Sequence, residues 1–84
     1  MTDILNEERT PEQIQQSIRA AFDSVNLINN TILLTINDQR KKLVERNVGH
    51  LKVMLAKTWF DGGLTTNERT LINTSITDGD NYVD

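Results

Sequence analysis

The sequence predicts an all-α protein: a long amphipathic helix or a helical hairpin, followed by a short C-terminal helix. Three observations carry this reading. Two segments, Thr10-Pro11-Glu12-Gln13 and Thr65-Thr66-Asn67-Glu68, have the residue pattern of capping boxes, in which the threonine hydroxyl and the residue three positions on satisfy each other's orphan backbone donors. Between them, apolar residues recur every three or four positions, as a buried helix face requires. Finally, four glycines, one proline and four aromatics in 84 residues are few for a sheet-rich domain, which needs turns and aromatic pairs.

Residues 1–9 show no periodicity and read as a flexible acidic lead. Helix formation begins at Pro11, where proline suits the first helical position because its missing N–H would be unpaired there anyway. From there Ile14, Ile18, Ala21, Phe22, Val25, Ile28, Ile32, Leu33 and Ile36 fall within an arc of roughly 140° at 100° per residue. Leu27 and Leu34 lie outside that arc and form, with Ala20, a thinner second stripe. Thr31-Ile32-Leu33-Leu34-Thr35-Ile36 has strand-like composition, but a lone strand has no pairing partner elsewhere in the chain, so helix is the expectation.

The segment from Asp38 to Phe60 is also amphipathic, with Leu43, Val44, Val48, Leu51, Met54, Leu55 and Trp59 on one side. Asn29-Asn30-Thr31 and Asn37-Asp38 are weak interruptions, and the apolar face keeps its phase across both. Residues 11–60 can therefore be one rod, on the order of 75 Å long at 1.5 Å per residue, or a hairpin turning near Asn37-Asp38. Asp61-Gly62-Gly63 ends this region, since glycine readily takes the left-handed terminal conformation. A helix restarts after Thr65 with Leu71, Ile72 and Ile76 as its apolar stripe, and Gly79 is expected to stop it. The expected organisation is one helical domain over residues 10–79 and a tail over residues 80–84.

A chain this short buries a modest core, and small domains commonly add disulfides, a structural metal or further copies of themselves. There is no cysteine and a single histidine, so self-association is the leading supplement, with a compact monomer as the alternative. No secretion signal or membrane-length apolar run is present, so the expected location is cytoplasmic. The net charge of −3 conceals an asymmetry. Arg40, Lys41, Lys42, Arg46, Lys52 and Lys57 outweigh Asp38 and Glu45 in the middle of the chain, between acidic ends.

Catalytic chemistry finds little to build on. His50 has no serine, cysteine or carboxylate at a compelling helical spacing, and reads as a boundary residue. Asp78-Gly79-Asp80-Asn81-Tyr82 lacks the ligand spacing of a calcium loop and reads as an acidic helix stop. No catalytic residue, metal site, cofactor or small-molecule substrate is expected. Arg40, Lys41, Lys42, Arg46 and Lys57 form a candidate basic patch for nucleic acid. However, the last helix, which would be the reader in a helix-turn-helix arrangement, offers only Arg69.

The stretch from Arg46-Asn47-Val48-Gly49-His50 to Leu51-Lys52-Val53-Met54-Leu55 precedes a second group of motifs. These are Leu64-Thr65 to Glu68 and Ile72 to Ile76-Thr77-Asp78-Gly79. Together they resemble a pattern in short uncharacterised proteins of tailed bacteriophages, over less than half the chain. Those proteins are commonly richer in alanine where this chain has Asn73-Thr74-Ser75. The resemblance implies a virion component or a small modulator of a host protein, and no site residues. The functional expectation is a non-enzymatic interaction protein that self-associates through Ile14, Ile18, Val25, Ile28 and Ile32. A partner surface is expected at Leu51, Leu55, Trp59 and Phe60, and nucleic-acid binding through the basic segment is the alternative.

Overall fold

In the computed structural model, which describes residues 10–84, the order is α1 (Pro11–Thr31), α2 (Asp38–Leu55), α3 (Thr58–Asp61) and α4 (Thr66–Val83). The acidic lead expected over residues 1–9 lies outside the described residues. The all-α class holds, and residues 11–60 form the hairpin rather than the rod. Both capping boxes form: Thr10 and Gln13 close one, and Thr65 and Glu68 the other.

The helix expected over Thr31–Ile36 is not there, because α1 ends at Thr31. Asn29, Asn30 and Thr31 are weak helix formers, and the Thr31 hydroxyl donates to the Leu27 carbonyl at 2.7 Å. The loop over residues 32–37 follows. Asn37 then caps α2, its side-chain oxygen accepting from the Arg40 N–H at 2.9 Å.

The second break also falls earlier than expected. α2 stops at Leu55, and Lys57 adopts an extended backbone, φ −89° and ψ 122°, before the single turn of α3. Phase explains this. At 100° per residue a continuous helix would put Phe60 on the far side from Val44 and Val48. The break turns Phe60 inward, where it is 0% exposed. Its ring meets Trp59 edge-on, with centroids 6.2 Å apart.

Ile18, Ala21, Val25 and Ile28 of α1 meet Val44, Val48 and Leu51 of α2, together with Phe60, Leu64 and Ile72. The α3–α4 link passes the start of α1 at Gly63, and Ser75 of α4 hydrogen-bonds to Asn29 near the end of α1. α1 and α4 therefore run the same way, with α2 against them: an up-down-up bundle of three helices.

Two glycines do a different job from the one expected. No described glycine has a positive φ. A Cβ at Gly63 would lie 2.7 Å from the Ile14 Cγ2, so this residue permits close approach rather than left-handed backbone. Gly79 does not stop α4. It lies buried within the helix, where a Cβ would overlap the Val48 Cγ2 methyl and come within 3.1 Å of the Val44 Cγ1. The segment expected as a tail over residues 80–84 is instead the end of α4, which runs to Val83.

Candidate interaction surface

The loop over residues 32–37 joins α1 to α2 at one end of the bundle. Its backbone is held from both sides. The Leu34 N–H donates to the Thr31 carbonyl at 3.0 Å, and the Arg40 guanidinium Nη1 donates to the Thr35 carbonyl at 2.6 Å. The Tyr82 hydroxyl of α4 donates to the Leu34 carbonyl at 3.1 Å. The loop is thus ordered by hydrogen bonds to its backbone, which leaves its side chains unconstrained by burial. Leu33 is 81% exposed, Leu34 51% and Ile36 47%. Leu27, one turn before the end of α1, is exposed as well. Elsewhere among the described residues the exposed large apolar side chains, Val53 and Leu71, stand singly.

Charges of both signs flank this tip. Lys41, Lys42 and Arg46 are exposed on the first turns of α2, while Arg40 is half-buried over the loop. Antiparallel packing brings the end of α4 beside them, with Asp80 and Asp84 exposed and Asp78 half-buried. Among the described residues the ion pairs are Lys52 with Asp80, at 3.3 Å, and Arg69 with Asp61, at 2.9 Å. Both are exposed enough for water to weaken them, so each adds little to stability. The remaining charges at the tip are free of ion pairs within that set.

The residues expected to join copies do another task. Ile18, Val25 and Ile28 are buried in the core of a single chain, and Ile14 and Ile32 pack against it. A seam between copies would need them outside, so that assignment is corrected. The expected partner surface is corrected likewise. Leu51 and Phe60 are fully buried, and Leu55 and Trp59 are half-buried against the same core. Each helix presents surplus apolar surface in the rod alternative, where the chain has nothing to fold against. The hairpin supplies that partner internally.

The five basic residues do not make one patch. Lys57 caps α3 at the opposite end of α2, roughly 25 Å from Arg40 at 1.5 Å per residue. His50 is exposed on α2. The acidic run from Asp78 to Tyr82 is helical rather than a calcium-type loop. Among the described residues no group of three or more metal-binding side chains converges, and no helix is long and apolar enough to cross a membrane. Open grooves on α4, at Thr70, Asn73, Thr74, Thr77 and Asp78, and on α1, at Pro11, Glu12, Gln15, Gln16 and Arg19, are each walled by one helix.

Sequence reasoning missed the loop. The signal was a continuous apolar run, Ile32-Leu33-Leu34, with Ile36, bracketed by Asn29-Asn30 and the cap Asn37. Comparison with protein-family models, with characterised proteins and with solved structures returned no match for this chain.

Proposed function

We propose that this chain is a non-enzymatic interaction protein that assembles with other protein surfaces through the loop over residues 32–37. The observation that supports the reading is the exposure of Leu33, Leu34 and Ile36 together on one ordered loop, whereas Val53 and Leu71, also exposed among the described residues, stand singly. Single exposed leucines are ordinary, whereas neighbouring ones mark contact sites. A loop already fixed by Arg40 and Tyr82 loses less freedom on docking than a mobile one. On the sequence resemblance alone, we place the protein among small phage-type assembly components or modulators of host proteins.

The chain has no cysteine, which allows a single photo-crosslinker to be attached at an introduced one. With the purified Leu33→Cys chain carrying the label, irradiation in a lysate of the cells that make the protein should give discrete covalent adducts. Thr66→Cys, exposed at the opposite end, should give none. Equal adducts from both positions, or none from residue 33, would remove the loop as the contact site.

A second reading is carried by Lys41, Lys42 and Arg46, which are exposed on one end of α2 and could meet phosphates. It requires duplex binding that weakens steeply with salt. Absence of binding at low salt would dismiss it.

A further inference from the structure

We infer that the surface covering the apolar loop is the same loop of a second copy, in a two-fold dimer that pairs the basic end of α2 with the acidic end of α4. This rests on the interaction reading above and names its partner. An isologous contact requires a patch complementary to itself, because each element meets its counterpart through the two-fold axis. A tip of one charge would repel its own copy. This tip is not of one charge: Lys41, Lys42 and Arg46 lie on one helix, and Asp78, Asp80 and Asp84 on its antiparallel neighbour. The Tyr82–Leu34 hydrogen bond holds the last turn of α4 against the loop, so the acidic end of α4 adjoins the apolar tip.

The same arrangement argues against other occupants. An anionic membrane or a nucleic acid would meet the lysines favourably, but would also face three carboxylates at the end of α4. Of these, Asp80 is already engaged by Lys52 at 3.3 Å, which leaves Asp78 and Asp84 free of ion pairs among the described residues. Apolar side chains at the centre supply the dimer's affinity, and the flanking charges set its orientation.

The test is sedimentation equilibrium from micromolar to millimolar concentration with two charge-reversed chains. One carries Lys41→Glu and Lys42→Glu, the other Asp78→Lys and Asp84→Lys. The native chain should dimerise, and each variant alone should dimerise about tenfold more weakly, since like charges then meet across the axis. An equimolar mixture of the two should recover the native constant to within about threefold, because opposite charges face each other again. Circular dichroism should show all three chains equally helical, as Lys41, Lys42 and Asp84 are exposed and Asp78 is only half-buried. A native chain that stays monomeric throughout, or a mixture no tighter than its components, would overturn the dimer. So would binding of the monomer to vesicles of phosphatidylcholine and phosphatidylserine. The crosslink at residue 33 separates the two claims. Adducts to other proteins from a monomeric chain would sink the dimer and leave the interaction reading standing, and no adducts at all would sink both.

Discussion

The Tyr82 hydroxyl donates to the Leu34 carbonyl at 3.1 Å, tying the last turn of α4 to a loop 48 residues earlier in the chain. This one bond connects the helix that sequence periodicity ends too soon with the loop that it reads as helix. Because it is exposed, Tyr82→Phe should cost no more than about 1 kcal/mol of global stability. It should raise amide hydrogen exchange over residues 33–36 while leaving exchange at Val48 and Leu51 unchanged.

Gly79 and Gly49 should respond in opposite directions to the same substitution. Gly79→Ala drives a methyl into Val48 and Val44, and overpacking of this kind costs about 1–3 kcal/mol. Gly49 has open space where a Cβ would go, so Gly49→Ala should stabilise by about 0.5–1 kcal/mol through helix propensity. Thermal melts of the two variants should therefore fall on either side of the native midpoint.

Phe60→Ala should be the most damaging truncation in the core. It removes a fully buried ring from the point where α2, α3 and the edge of Trp59 meet. Such truncations cost about 3–5 kcal/mol, comparable with the entire stability of a small domain. Urea denaturation should show a largely unfolded chain without denaturant, or a midpoint close to it.

Val25→Asp and Leu33→Asp place the same charge in two environments. Val25 is buried, so the carboxylate there has no solvent and the chain should lose its helical circular dichroism. Leu33 is mostly in water, and stability should stay within about 0.5 kcal/mol of native while association is lost. The pair distinguishes a core position from a contact position in a way that periodicity does not.

Most local signals were legible, though Asn37 reads as an interruption rather than as the cap of α2. Both capping boxes, the class of the fold, and the inward faces of α1 and α2 follow from residue type and spacing. The bend near Asn37-Asp38 was one of two open readings. The end of α2 at Leu55 and the passage of α4 through Gly79 were not legible, and these two have tertiary causes. α2 ends at Leu55 because Phe60 can reach the core only if the backbone turns at Lys57. α4 passes through Gly79 because three helices converge where a side chain would not fit, so a residue that punctuates an isolated helix serves packing here. Ser75 belongs to the same set. It is buried, and its hydroxyl reaches Asn29 at 3.0 Å, which accounts for a small polar residue on an inward position. The candidate site was illegible for a related reason. Exposure of Leu33 and Leu34 depends on where the hairpin bends, and an apolar arc that keeps its phase across the bend conceals it.

Methyl spectra of the isotope-labelled chain over a dilution series test the account most directly, because the exposed apolar residues among those described are few and separable. The account predicts that Leu33, Leu34 and Ile36 shift and broaden as concentration rises, while Val53 and Leu71 keep their positions. Movement of Val53 or Leu71 with the loop methyls unchanged would place the contact elsewhere and contradict it.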